Sequence, residues 1–129
     1  MMGSSLFWRG AWRREPWWAE FWSGMTAIAW GGLGVAVSVV GPSMSVLAQL
    51  GGTSFWQQAA LVLGAMQLSF LVVDARWLRW AGAAAMAWFW AVLTLGIWAA
   101  VPGAPGVAVY AGWCGINLYS SVRLLRPHD

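Results

Sequence analysis

The sequence predicts an all-α integral membrane protein, with four transmembrane helices in an up-down bundle and both termini in the cytoplasm. Three observations carry this expectation. Of the 129 residues, 60% are hydrophobic and only 9% are charged, against about 25% charged in an ordinary soluble domain. The apolar residues fall into four runs separated by three short linkers, the first and third marked by Gly and Pro and the second by Asp and Arg. All seven basic residues are arginine, and they lie before the first run, between the second and third, and after the fourth. Cytoplasmic loops collect arginine, and four crossings put every arginine on one side, whereas an odd number does not. This bias also argues against a dual-topology arrangement.

Residues 1–16 read as a basic, Trp-rich interfacial lead-in. Trp8 and Trp12 share a helical face, and Arg9, Arg13 and Arg14 can snorkel to phosphates. Pro16 suits the first helical position, where its missing N–H costs nothing. The transmembrane domain spans residues 17–122. Its first helix, about 17–41, carries some twenty residues without a charge after Glu20, enough to cross a core of ~30 Å. That run exceeds a signal-peptide h-region, so it reads as a retained anchor. The other helices are expected at about 54–73, 80–101 and 105–122, the last being the shortest and least apolar. Gly41-Pro42, Gly51-Gly52, Asp74 to Arg79 and Pro102-Gly103-Ala104-Pro105 mark the turns. Residues 123–129 form a short basic cytoplasmic tail. Arg9, Arg13, Arg14, Trp17, Trp18, Arg76, Arg79, Arg123 and Arg126 are the expected interface anchors. The thirteen tryptophans make aromatic belts at both boundaries, with Trp30, Trp88, Trp90 and Trp113 deeper. A faint internal repeat, Trp22-x-Gly24 with Ala29-Trp30 against Trp80-x-Gly82 with Ala87-Trp88, fits either duplication or chance in a Trp- and Ala-rich chain.

Two constellations stand out. Gly24, Ala27, Gly31, Gly34 and Ser38 are spaced three and four apart on the first helix, making one small-residue face. Lipid supplies no hydrophobic drive between helices, so such faces serve close packing. The seam packs either within the bundle or between copies. Smaller seams recur as Ala60-Gly64-Gln67, Ala83-Ala87-Ala91-Thr94 and Ala108-Gly112-Gly115. This surplus favours oligomerisation. The second constellation is a polar stripe on the last helix, Tyr110, Cys114, Asn117 and Ser121, with Gln67 at similar depth on the second. It serves either a Gln67–Asn117 interhelical bond or a wet path.

The remaining chemistry is sparse. No ionisable residue lies deep in a span, and Glu20 and Asp74 fall at the cytoplasmic edge. Proton relays and coupled transporters keep a charge in the membrane. No buried base for a nucleophile, carboxylate pair or HExxH motif is present. The single cysteine, Cys114, excludes an intrachain disulfide and a Cys-based metal framework. The expectation is therefore no enzyme, no cofactor and no metal. The partners expected are the lipid bilayer and further copies of the chain, with a larger membrane complex as the alternative. Nucleic acid is not expected, because the arginines flank apolar segments.

Arg9-Gly10, Trp17-Trp18-Ala19-Glu20, Gly24 and Ala29-Trp30-Gly31, with the basic turn Arg76 to Arg79, Gly82-Ala83 and Val107-Ala108-Val109-Tyr110, resemble the layout of small four-helix membrane proteins of tailed bacteriophages, the holin-like group. The resemblance implies assembly in the cytoplasmic (inner) membrane and permeabilisation during cell lysis, and it transfers no functional residue. The alternatives are a structural or accessory subunit of a membrane complex, and a small transporter or channel.

Overall fold

The computed structural model describes residues 17–37 and 44–125. The lead-in with Arg9, Arg13 and Arg14, the seam residue Ser38, and Arg126 lie outside these described residues. Among them the structure is all-helical: α1 Trp17–Val37, the short α2 Ser45–Gln49, α3 Thr53–Val73, α4 Arg76–Ala100 and α5 Gly106–Leu125. Twenty residues at 1.5 Å each make a rod of about 30 Å, so the four long helices are matched in length.

The boundaries differ from the sequence reading in instructive ways. The helix expected at 80–101 starts four residues earlier, because the Asp74-Ala75 turn reverses the chain by itself. Asp74 is left-handed (φ 58°) and its N–H closes onto the Phe70 carbonyl at 3.0 Å, the cap geometry that Gly, Asn or Asp tolerates best. Arg76, Trp77 and Arg79 are therefore helical and not part of a linker. The helix expected at 105–122 continues to Leu125. The linker 42–53 contains α2, whose Leu47 is fully buried and whose Leu47 carbonyl accepts a bond from Trp56 Nε1 at 2.9 Å. Gly51 and Gly52 take positive φ (119° and 91°), turns that a residue with a Cβ makes only under strain.

The long helices form an up-down ring. α1 packs along α3 and α4 along α5, while α3 meets α4 and α1 meets α5 to close the ring. All five charged side chains of the described residues, Glu20, Asp74, Arg76, Arg79 and Arg123, sit at one end, as their mutual bonds require. The other end is closed by Leu47, Met44 and Ile97 beneath a core of Ala27, Ala60, Met86, Phe89, Trp90 and Leu93.

Polarity is inverted relative to a soluble bundle. Glu20, Ser23, Gln67, Arg79, Asn117 and Ser120 are buried, whereas Leu33, Val62, Val72, Trp88, Leu95 and Val109 are exposed. Trp88 is 74% exposed in the middle of α4. Among the described residues, two helices, α3 and α4, are long and apolar enough to cross a membrane.

Candidate functional site

The small-residue seam of α1 is consumed inside the bundle. A Cβ on Gly31 would lie 2.5 Å from the Gln57 carbonyl oxygen of α3, and one on Gly64 would lie 2.7 Å from the Gly24 carbonyl. Gly34 faces the Gln57 side chain at similar range, and Ala27 is fully buried. The two backbones touch because neither presents a side chain there, the close approach that stabilises helix pairs in lipid. The Ala108-Gly112-Gly115 seam of α5 behaves oppositely. A Cβ on Gly112 or Gly115 would meet nothing within 4 Å, and Ala108 is exposed. Of the other small positions, Ala60, Ala83 and Ala87 are buried between helices.

The charged end is built around Arg79. Only 8% of this residue is exposed, and its guanidinium clasps Glu20, 2% exposed, through Nε to Oε1 at 3.2 Å and Nη2 to Oε2. Its Nη1 donates to Asp74 Oδ1 at 3.1 Å. The planar guanidinium matches a carboxylate in this two-point fashion. The sequence groups Arg79 with the headgroup anchors. It turns inward instead, because a buried Glu20 one helix away demands a counter-charge. Glu20 thus ties α1 to α4 and is not an edge residue facing water. Trp17 is also buried, stacked on Phe21 at 5.3 Å, while Trp18 is exposed. Arg76 has a different role. Its Nε and Nη2 donate to the carbonyls of Leu124 and Arg123, which are orphaned at the end of α5 and carry the negative end of the helix dipole. A shallow groove of about 320 Å³, lined by Arg76, Trp77, Trp80, Leu124 and Leu125, opens beside it. Arg123 is exposed.

One turn deeper lies a polar cluster. Gln67 Nε2 donates to Asn117 Oδ1 at 2.9 Å, and Asn117 Nδ2 donates to Ser23 Oγ at 2.8 Å and to the Trp113 carbonyl at 2.9 Å. Asn117 thereby joins three helices. Ser121 Oγ donates to the Leu118 carbonyl of its own helix at 2.9 Å. Deeper still, the polar stripe ends in an aromatic layer. Tyr110 accepts a bond from Trp30 Nε1 at 2.9 Å and stacks on Trp90 at 5.5 Å, which in turn lies against Phe89 and Trp113. Cys114 is half-buried with a free thiol.

Of the residues singled out from sequence, the structure brings together Gln67 and Asn117. It leaves Tyr110 in the aromatic layer and Ser121 at the helix surface of the core. Ser23 and Ser120 belong to the polar core and are not singled out by the sequence, which places Glu20 only at the cytoplasmic edge. The legible signal was spacing: Glu20 and Ser23 are three apart on α1, as are Asn117 and Ser120 on α5, so each pair shares a face. Among the described residues, no three of His, Cys, Asp and Glu are placed to hold a metal ion. No protein-family model, curated protein or solved structure matches the chain.

Proposed function

We propose that this chain is a multi-pass protein of the cytoplasmic (inner) membrane whose four long helices all cross, with both termini cytoplasmic, and that it permeabilises the membrane by lateral assembly of copies, in a holin-like manner. The observation that carries this reading is the inverted polarity together with the bare outer face of α5. A bundle with its amides and ion pair inside, and Trp88, Leu95 and Val62 outside, is stable in hydrocarbon and adheres to other proteins in water. The arginine-bearing end then faces the cytoplasm. α1 and α5 cross as members of the ring, with Glu20, Ser23, Asn117 and Ser120 turned inward.

The bundle axis is filled by Met86, Phe89, Trp90 and Leu93, so a hole forms between protomers and not through one. Gly112 and Gly115 give α5 the only long glycine-bearing face among the described helices that no neighbour fills, and close helix contact in lipid favours such faces. No reacting group is required for this activity.

Induction of the chain in a bacterium tests the proposal. The expected outcome is an abrupt collapse of membrane potential and release of a co-expressed cytoplasmic muralytic enzyme. Sustained growth at high, verified membrane expression overturns it. The same open face also supports a second reading, an accessory subunit docked by α5 onto a larger membrane complex. Mass measurement after gentle detergent extraction separates the two: homo-oligomers favour the first, and a stable heteromeric partner favours the second.

A further inference from the structure

The groove at the charged end has walls of mixed character. It is lined by Arg76, Trp77 and Trp80 from the start of α4 and by Leu124 and Leu125 from the end of α5, so a guanidinium stands among apolar side chains with no carboxylate in the wall. Its volume of about 320 Å³ lies in the range of small-ligand sites. Trp77 and Leu125 are 71% and 67% exposed, so the groove opens outward, away from the bundle axis. Arg76 opens α4 and Leu125 ends α5, whereas Trp80 lies one turn deeper. Val122 and Leu118, also exposed, share a face of α5 with Leu125 and carry the apolar surface further inward. Positive charge gathers at the same place. The described residues of this end comprise three arginines, Arg76, Arg79 and Arg123, against two carboxylates, Glu20 and Asp74, and both carboxylates are bonded to Arg79. Ala75, the N-cap of α4, makes no side-chain cap, so the positive end of that helix dipole adds to the Arg76 guanidinium. The opposing negative end of α5 is covered by Arg76 itself, through the Leu124 and Arg123 carbonyls.

We propose that this groove binds one anionic phospholipid, with the phosphate at Arg76 and the start of α4 and an acyl chain along Trp80, Leu125 and Val122. The proposal rests on the reading that this end lies at the cytoplasmic face of a membrane, and it is independent of permeabilisation. A cationic group at the mouth and hydrocarbon along the walls call for a ligand of the same layout, an anion joined to an alkyl chain. A free inorganic anion leaves the indoles and leucines uncovered. A zwitterionic lipid leaves the excess positive charge of this end unmatched. A second copy inserted in the same orientation brings its own excess of arginine to the same depth, so like charges oppose it here. Tryptophan suits the headgroup boundary, and basic pockets between helices on the cytoplasmic side take anionic headgroups. The bonds to the α5 carbonyls already hold the Arg76 side chain in place, so less side-chain freedom is lost when a phosphate arrives.

Native mass spectrometry on the full chain in mild detergent, titrated with phosphatidylglycerol or phosphatidylcholine, tests the site. The wild type is expected to retain one phosphatidylglycerol per chain, with a preference of roughly fivefold over phosphatidylcholine. Arg76→Gln is expected to abolish that preference. Leu125→Glu, which sets a carboxylate at the groove mouth on an exposed position that tolerates substitution, is expected to abolish it without disturbing the Arg76 bonds to α5. Arg123→Gln changes the net charge by the same one unit but lies outside the groove lining, and it is expected to keep the preference. Equal retention of the two lipids by the wild type overturns the proposal. So does a preference that survives Leu125→Glu, or one that Arg123→Gln removes as fully, since diffuse attraction then accounts for it. Lipid-free dimers that Leu125→Glu dissociates assign the groove to a second copy and overturn it as well. Alkaline carbonate washing of membranes keeps the failures apart. Release of the chain overturns the membrane reading and the site with it, whereas a retained chain without the preference overturns the site alone.

Discussion

α1 and α5 carry the same sequence signature, small residues three and four apart, and use it in opposite ways. On α1 the seam is pressed against α3 so closely that added Cβ atoms at Gly31 and Gly24 would meet neighbouring backbone or side chain within 3 Å. On α5 the matching glycines face open space. The difference lies in what the opposite side of each helix must do. α5 has Asn117, Ser120 and Ser121, whose desolvation is tolerable only inside the ring, so its bare face is forced outward. α1 has Glu20 and Ser23 adjacent to its seam, so both faces turn inward together. A small-residue stripe thus marks a contact surface, and the polar residues sharing the helix decide whether the contact is internal or external.

Substitutions can break or sharpen this contrast, and the largest effect is expected on the inward side of α1. Arg79→Met removes the two-point partner of buried Glu20 and should lower stability by about 3–5 kcal/mol, read from chemical unfolding in detergent. Glu20→Met with Arg79→Met should recover most of that loss, since no buried charge is then stranded. Gly31→Leu comes next. It forces a side chain into the Gln57 backbone and should cost about 3 kcal/mol, so that it disrupts the bundle itself before any contact between copies. Asn117→Leu should cost about 1 kcal/mol, because Gln67 and Ser23 both lose a partner while amide bonds in lipid are individually weak. The smallest effect on stability is expected for Gly112→Leu, within about 0.5 kcal/mol, the range of substitutions that touch nothing. The same variant should abolish or weaken association between copies, measured by crosslinking or mass in micelles. If Gly112→Leu unfolds the chain while Gly31→Leu does not, the assignment of inner and outer seams is reversed.

Much of the fold was legible because it follows from local chemistry. The long helical runs and the arginines that flank them are properties of short segments, and the turn chemistry of Asp74 and Gly51-Gly52 marks where they end, whereas the short α2 reads as linker in the sequence. The pairing of Gln67 with Asn117 was legible as one of two readings, since two amides at equal depth seek each other. Arg79 was misread as an anchor because its partner Glu20 is 59 positions away in the chain. Nothing local distinguishes a snorkelling arginine from a paired one. The helical start at Arg76 was hidden for the opposite reason: a two-residue turn leaves no visible linker.

By itself, the sequence determined an all-helical chain, apolar enough in its runs to suit hydrocarbon, with its charges gathered at the ends of those runs. These depend on composition and on periodicity within single helices. Only the tertiary structure decided which helices adjoin, which glycine seam is filled and which is open, and that Glu20, Arg79, Ser23, Asn117 and Gln67 form one inward column. Those outcomes depend on the rotation of each helix about its axis. That rotation is set by the simultaneous burial of polar groups on all four long helices, a condition that no single helix can express.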